Sequence, residues 1–234
     1  MTEELDGIFF DLGGTLVDTT VPRELIWSEV LQGRGCEVDI VAIAGALRVV
    51  DRELDERFAS IQGMDEGPFW LEYNRKVLAR LGLELRAEEV VQDLSESMSR
   101  MVLDDGNWKD FADVRPLLDG LGNLDIEVGL ISNATELARR VLRRLELEKY
   151  FEPVIISCEV GHRKPSREIF DIALDESGVA ASRAIYIGDK PAVDIVGATN
   201  AGMNAVLIDR GDLFPDKDCI RIMNLDSLRT FVQV

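Results

Sequence analysis

Five short apolar runs recur along this chain, and each one ends at or beside a polar residue. Each run is too short for a helix and is apolar on both faces, which is typical of parallel strands buried between layers of helices. The runs cover residues 7–11, 126–132, 154–157, 184–189 and 205–209. Stretches with a helical period lie between them, over residues 136–150, 166–177 and 192–201. The alternation predicts an α/β fold built on a doubly wound parallel sheet.

Residues 18–103 interrupt this alternation, because no strand pattern is evident there and several helical patterns are. Apolar residues recur every four positions, at Phe69, Tyr73, Val77 and Leu81 and again at Val90, Leu94 and Met98. Such a stripe is buried when one helix packs against another. We therefore predict a helical domain over residues 18–103, inserted after the first strand. Residues 1–17 and 104–234 would form the α/β domain.

The composition predicts a folded protein with a sizeable core. Of the 234 residues, 46% are hydrophobic and 30% are charged, and no apolar run approaches the roughly 20 residues that a membrane-spanning helix needs. Three scattered cysteines favour buried thiols in a reducing compartment over a disulfide framework. The first residues are acidic and do not resemble a targeting segment, so we expect a cytoplasmic protein.

The net charge of −18 at pH 7 restricts the possible partners. Nucleic acid and anionic membranes both repel an acidic surface, so neither is an expected partner. An anionic substrate would require local positive charge, or a divalent cation, at its binding site.

Reactive side chains follow three of the predicted strands. In open parallel sheets, ligands bind beyond the carboxyl ends of the strands, and Asp11, Ser132 and Asp189 all fall there. Asp11 stands at the tip of a buried strand that would hold it rigidly. Gly13 and Gly14 follow, and their lack of side chains lets a phosphate or a metal approach the backbone. Asp11 is therefore a candidate nucleophile.

Four motifs in a fixed order resemble those of the haloacid dehalogenase-like (HAD) hydrolases. They are Phe-Asp-Leu-Gly-Gly-Thr-Leu-Val-Asp over residues 10–18, Gly-Leu-Ile-Ser-Asn over 129–133, Gly-His-Arg-Lys-Pro over 161–165 and Ile-Gly-Asp-Lys-Pro-Ala-Val-Asp over 187–194. The resemblance covers about residues 5–17 and 105–234, and the helical insertion resembles the family's cap domain. It implies a Rossmann-like core and a hydrolase of small phosphorylated metabolites.

The resemblance implies a nucleophile and a magnesium site. Asp11 would attack phosphorus and form an aspartyl-phosphate, which splits one displacement into two. Mg²⁺ prefers octahedral oxygen ligands. Asp11, the backbone carbonyl of Gly13 and Asp189 would supply ligands, and Asp194 would act directly or through water.

The resemblance also implies a site for the phosphoryl group. Lys164 would neutralise the nucleophile and a phosphoryl oxygen, and Ser132 would donate a hydrogen bond to another. Thr15, Asn133 and the backbone N–H groups of residues 12–14 would complete the phosphate cradle.

One residue departs from the family pattern. Most phosphatases of the family carry a second aspartate two residues after the nucleophile, which acts as the general acid and base, and here that position is Gly13. Such assistance is worth roughly 10²–10⁴-fold in rate. Hydrolysis could be limited to substrates whose leaving group needs no proton, or Asp18 or Glu24 could substitute. Alternatively, the chain is a catalytically impaired relative that binds phosphate or a protein partner.

Two other chemistries of the family dispense with that aspartate. A 2-haloacid dehalogenase expels halide, but those enzymes lack the acidic pair that Asp189 and Asp194 form here, and the nearest arginine for a substrate carboxylate is Arg23. A phosphonoacetaldehyde hydrolase needs an imine-forming lysine in the inserted domain, where Lys76 is the candidate. Both alternatives rank below a phosphatase.

Overall fold

The structure is a computed structural model that describes residues 5–61, 63, 65–84 and 87–228. The chain divides into two compact units. The α/β unit contains the chain up to Asp18 and from Lys109 onward, and the helical unit contains Thr19–Trp108. Compared with the predicted helical domain over residues 18–103, the helical unit begins one residue later and ends five residues later.

Eight strands among the described residues form two sheets. They are β1 Gly7–Phe10, β2 Val17–Thr19, β3 Trp108–Asp110, β4 Glu127–Ser132, β5 Val154–Ile156, β6 Ala184–Gly188, β7 Asn204–Ile208 and β8 Ile220–Ile222. Six of them make a parallel sheet in the order β5-β4-β1-β6-β7-β8, and β2 pairs with β3 in a separate small sheet. The predicted α/β class and doubly wound parallel sheet are confirmed.

Helices flank the parallel sheet or form the helical unit. They are α1 Arg23–Gly33, α2 Ile40–Ala59, α3 Gly67–Arg80, α4 Ala87–Leu103, α5 Val114–Leu121, α6 Leu137–Arg144, α7 Ser157–Val160, α8 Arg167–Ser177 and α9 Val196–Asn200. A single π-helical turn, Pro191–Ile195, precedes α9. No helix among the described residues is long and apolar enough to cross a bilayer.

Several elements differ from the sequence-based expectation. The helix predicted over residues 136–150 ends at Arg144, because Glu146 takes a left-handed conformation (φ 54°), and a 3₁₀ turn follows at Glu148–Tyr150. Strand β2 runs two residues into the stretch where no strand was expected. Strand β8 escapes detection because only Ile222 of its three residues is buried, which leaves no apolar run to recognise.

The central strands of the parallel sheet are covered on both faces. All four residues of β1 and all five of β6 are buried, and each large side chain buried in this way contributes about 1.5–3 kcal/mol. Burial of this kind explains why these strands read as continuous apolar runs. The helical unit has its own core, in which Phe69, Tyr73 and Val77 of α3 are buried.

Candidate active site

Strand register brings the predicted acidic residues to one edge of the sheet. In the parallel pair β1–β6, Phe10 lies opposite Ile187. Asp11 therefore emerges at the same edge as Asp189, and its N–H donates to the carbonyl oxygen of Ile187 at 2.8 Å. On the other side of β1, Phe10 lies opposite Leu130 of β4, so the buried Ser132 also ends its strand at this edge.

Three carboxylates converge at this edge. One oxygen from each of Asp11, Asp189 and Asp194 lies within 4.8 Å of the other two. The π-helical turn carries Asp194, whose Oδ2 accepts a hydrogen bond from the backbone N–H of Lys190 at 2.9 Å. Gly188 permits this approach, since a Cβ there would lie 2.4 Å from the carboxyl carbon of Asp194.

The donor set fits a hard divalent cation. Closely spaced carboxylate oxygens are the ligands that Mg²⁺ prefers. The pKa of Asp189 is raised to about 7, mainly by burial; the charge of Lys190 opposes the rise, and the charges of Asp11 and Asp194 add to it. Burial also raises the pKa of Asp11, although Lys164 opposes this shift. A cation bound among these groups would favour their ionised forms.

Lys164 is buried among the carboxylates. Its Nζ lies 2.6 Å from Oδ1 of Asp11, 2.7 Å from Oδ1 of Asp194 and 2.7 Å from the hydroxyl oxygen of Tyr186. Burial disfavours the ammonium, but the negative charges of Asp11 and Asp194 outweigh it and raise the pKa of Lys164. Lys164 is therefore a charged partner of the candidate nucleophile.

A second lysine lies beside the acidic cluster. Nζ of Lys190 is 3.3 Å from Oδ2 of Asp189, and that carboxylate is the main cause that raises the pKa of Lys190. Sequence reasoning did not include Lys190 in the site, because a lysine beside a turn is usually a solvated charge.

The loop after Asp11 has a tightly fixed backbone. Gly14 has a φ of +78°, and a Cβ there would lie 2.4 Å from Oδ2 of Asp189, so only glycine fits this position. The N–H of Gly14 donates to the carbonyl oxygen of Val17 at 2.8 Å and is therefore already engaged. One of the three N–H groups predicted for the phosphate cradle therefore already has a partner within the loop.

Thr15 and Asn133, the two side chains predicted to complete the phosphate cradle, have the following surroundings. Thr15 is fully buried, and its hydroxyl oxygen has no hydrogen-bond partner among the described residues. Asn133 uses both atoms of its amide on the backbone of Lys164: Nδ2 donates to the carbonyl oxygen at 2.9 Å, and Oδ1 accepts from the N–H at 2.8 Å. Both polar atoms of the Asn133 side chain are therefore engaged with the protein backbone.

Residues considered for other chemistries have structural partners or lie at the surface. Arg23 donates to Asp51 and to the hydroxyl of Tyr73 within the helical unit. Lys76 lies on α3 and is exposed. His162, in the loop before Lys164, is exposed as well. An imine-forming lysine is normally desolvated, which does not describe Lys76.

Sequence reasoning missed two residues that contact the site's framework. Tyr186 places a hydroxyl beside Lys164, and the single tyrosine in the aliphatic run Ala-Ile-Tyr-Ile-Gly was the available signal. Arg210 donates to the carbonyl oxygen of Thr15 at 2.9 Å and forms a two-point ion pair with Asp113. Nothing in the local sequence marked Arg210, because its partners are distant along the chain.

Comparison with known proteins identifies the family. A sequence model of the haloacid dehalogenase-like hydrolases matches residues 5–202. Glyceraldehyde 3-phosphate phosphatase of Pyrococcus abyssi is 31% identical over 208 residues, which are 87% of this chain and 81% of that protein. This chain belongs to the haloacid dehalogenase-like hydrolase family, and it is an enzyme of the hydrolase class.

Solved structures of the family share the fold. The HAD-hydrolase YfnB from Bacillus subtilis, bound to magnesium, aligns with a TM-score of 0.71 at 17% identity, covering 99% of this chain and 100% of that one. A 2-haloacid dehalogenase from Pseudomonas syringae aligns with a TM-score of 0.57 at 26% identity and covers 98% of each chain.

Proposed function

We propose that this hydrolase is a Mg²⁺-dependent phosphatase of a small phosphorylated metabolite and acts through an aspartyl-phosphate on Asp11. The observation that carries the proposal is the ion pair between Asp11 and Lys164, set among the carboxylates of Asp189 and Asp194. The similarity to a protein named glyceraldehyde 3-phosphate phosphatase supports a phosphate ester as the substrate class.

The side chains present divide the reaction into two displacements. In the first, a carboxylate oxygen of Asp11 forms a bond to phosphorus while the bond from phosphorus to the leaving oxygen breaks. In the second, a water oxygen attacks phosphorus, the bond to Asp11 breaks, and inorganic phosphate leaves. Lys164 holds the attacking carboxylate in one orientation and keeps a positive charge beside it.

The metal site would consist of Asp11, the carbonyl oxygen of Gly13, Asp189 and Asp194. A bound Mg²⁺ would offset the repulsion between these carboxylates and an anionic phosphoryl group. Ser132 ends β4 at the same edge and would donate a hydrogen bond to a phosphoryl oxygen.

Gly13 determines which esters should react. With no carboxylate two residues after Asp11, the leaving oxygen receives no proton from the usual position. Aryl and acyl phosphates, whose leaving groups are stable anions, should therefore react better than alkyl phosphates. We further propose that residues 18–103 act as a cap that selects the substrate.

Gly13 also supports a second candidate, a catalytically impaired relative that binds phosphate or a partner without useful turnover. Similarity to a 2-haloacid dehalogenase structure keeps halide displacement as a third candidate. Two observations favour the phosphatase over the dehalogenase. Arg23 is already paired with Asp51, and Asp11, Asp189 and Asp194 form a complete acidic cluster.

Hydrolysis of p-nitrophenyl phosphate with Mg²⁺ tests the proposal, because nitrophenolate leaves without a proton. The wild type should release nitrophenolate, and Asp11→Asn should abolish release. Asp18 is an exposed carboxylate on β2. If Asp18 substitutes for the missing acid, Asp18→Asn should lower the rate of hydrolysis. An inactive wild type that gains turnover through Gly13→Asp would identify the impaired relative. Activity that survives in Asp11→Asn would refute the assignment of the nucleophile.

A further inference from the structure

The ammonium of Lys164 uses all of its hydrogen-bonding capacity within the protein. A lysine ammonium has three N–H donors, and three acceptors surround Nζ, from Asp11, Asp194 and Tyr186 at 2.6–2.7 Å. Two of the acceptors are carboxylates that also belong to the acidic cluster. Only the third, the hydroxyl of Tyr186, is an uncharged group supplied by the core of the sheet.

The hydroxyl of Tyr186 is oriented so that it accepts from Lys164. A phenol has one proton to donate, and the carbonyl oxygen of Ile131 lies 3.0 Å from the hydroxyl oxygen, closer than Oδ1 of Asp194 at 3.4 Å. Donation to Ile131 directs a lone pair toward Lys164. The hydroxyl therefore links the ammonium to the backbone of β4, whose neighbour β1 ends immediately before Asp11.

The ring of Tyr186 cannot easily turn away from this position. The side chain is fully buried in β6, and the ring of Phe170 packs against it edge-to-face, with centroids 5.2 Å apart. Phe170 is in turn confined by Gly197, where an added Cβ would lie 2.7 Å from the ring. A buried aromatic ring fixed by such packing holds its polar tip in one place.

We propose that Tyr186 is a positioning residue, whose hydroxyl holds the ammonium of Lys164 where it orients Asp11 for attack. The inference rests on the proposed function, since it takes Asp11 as the nucleophile. Without this hydroxyl, one N–H of a buried ammonium loses its acceptor, and Lys164 shifts toward its remaining partners. A displacement of about 1 Å at a reacting group can cost roughly 10²-fold in rate.

This arrangement separates binding from catalysis. Tyr186 is fully buried and directs its hydrogen bonds to protein atoms, so it does not contact the substrate. Its loss should therefore lower kcat and leave KM nearly unchanged. A residue that binds the phosphoryl group would instead raise KM.

The kinetic test compares Tyr186→Phe with Tyr150→Phe on p-nitrophenyl phosphate with Mg²⁺. Tyr150 is a matched control in the same unit, where its hydroxyl donates to Asp119 at 2.6 Å on the surface. We expect Tyr186→Phe to lower kcat about 10- to 100-fold with KM within about threefold of wild type, and Tyr150→Phe to match the wild type. An unchanged kcat, or a loss confined to KM, would overturn the proposal.

A second measurement does not depend on turnover. In ¹⁵N-lysine NMR spectra, an ammonium with three buried hydrogen bonds exchanges its protons slowly and gives an observable signal. The wild type should show this signal, Lys164→Met should remove it and so assign it, and Tyr186→Phe should accelerate its exchange. Fast exchange in the wild type, or slow exchange that survives in Tyr186→Phe, would overturn the positioning role. If the wild type shows the signal but no turnover, the proposed function fails and the positioning of Lys164 stands.

Discussion

Asn133 and Lys164 are 31 residues apart, yet the amide of Asn133 binds the backbone of Lys164 through two hydrogen bonds, at 2.8 and 2.9 Å. Asn133 follows β4, so these bonds tie the lysine loop to the strand beside the nucleophile's strand. Together with the contact between Nζ and Tyr186, they fix Lys164 at both its backbone and its charged end.

Replacing Asn133 should therefore impair catalysis more than substrate binding. Asn133→Ala removes both bonds and leaves buried backbone groups of Lys164 unpaired, which costs about 1–3 kcal/mol of stability. We expect kcat to fall about tenfold or more, with a smaller change in KM. Steady-state kinetics and thermal unfolding would measure both effects.

Asn204→Ala is a suitable control, because Asn204 donates to the carbonyl oxygens of Ser182 and Ala184 in the same unit. It should lower the unfolding temperature without lowering kcat. A rise in KM alone for Asn133→Ala would instead support the phosphate contact that the sequence predicts.

Gly14→Ala should disable the site. The substitution forces alanine into a φ of +78° and places its Cβ against Asp189. Gly178→Ala is the matched control, since Gly178 has a φ of +71° and open space around its Cβ position. Both variants should lose about 1 kcal/mol of stability from backbone strain, but only Gly14→Ala should lose activity. Equal activities of the two variants would contradict the contact with Asp189.

The rate should depend steeply on the leaving group. Without an acid at Gly13, the leaving oxygen departs as an anion, so kcat/KM should fall as the pKa of the leaving alcohol rises. A series of substituted phenyl and alkyl phosphates would measure the slope. Gly13→Asp should flatten the slope. A wild type that hydrolyses alkyl and aryl phosphates equally well would show that another group donates the proton.

Chelation should abolish turnover. EDTA should remove activity and added Mg²⁺ should restore it, because the carboxylate cluster otherwise repels an anionic substrate. Asp189→Asn should weaken Mg²⁺ binding, measured by calorimetry without substrate, by at least about tenfold. Halide release from 2-haloacids in the presence of EDTA would favour dehalogenase chemistry instead.

The pair formed by Asp113 and Arg210 should make stability depend on pH. Burial disfavours the charge on Asp113, but hydrogen bonds from Arg210 and from the N–H of Leu225 outweigh it and hold the pKa of Asp113 below its ordinary value of 3.8. Because the pKa is depressed in the folded state, the stabilisation is complete above the ordinary value. It is lost as the pH falls through the folded-state value.

Thermal unfolding of Asp113→Asn should reveal this dependence. The difference in unfolding temperature from wild type should be constant between about pH 5 and 7 and shrink below about pH 4. A difference for Asp113→Asn that does not change with pH would contradict a charge-dependent contribution.

The sequence by itself determined the parallel sheet and which residues end its central strands. Strands β1 and β6 are buried on both faces, so each of them appears in the sequence as a continuous apolar run. Since parallel strands place their carboxyl ends at one edge, the proximity of Asp11 and Asp189 also follows from the chain order of the motifs.

Only the tertiary structure decided how the side chains share the site. Three contacts join residues that are far apart in sequence: Asn133 with Lys164, Tyr186 with Lys164, and Arg210 with Thr15. Such contacts depend on strand register and loop path, which no local pattern encodes. Periodicity and motif spacing report burial and order along the chain, whereas hydrogen-bond partners are fixed only when the packed backbone sets distances between atoms.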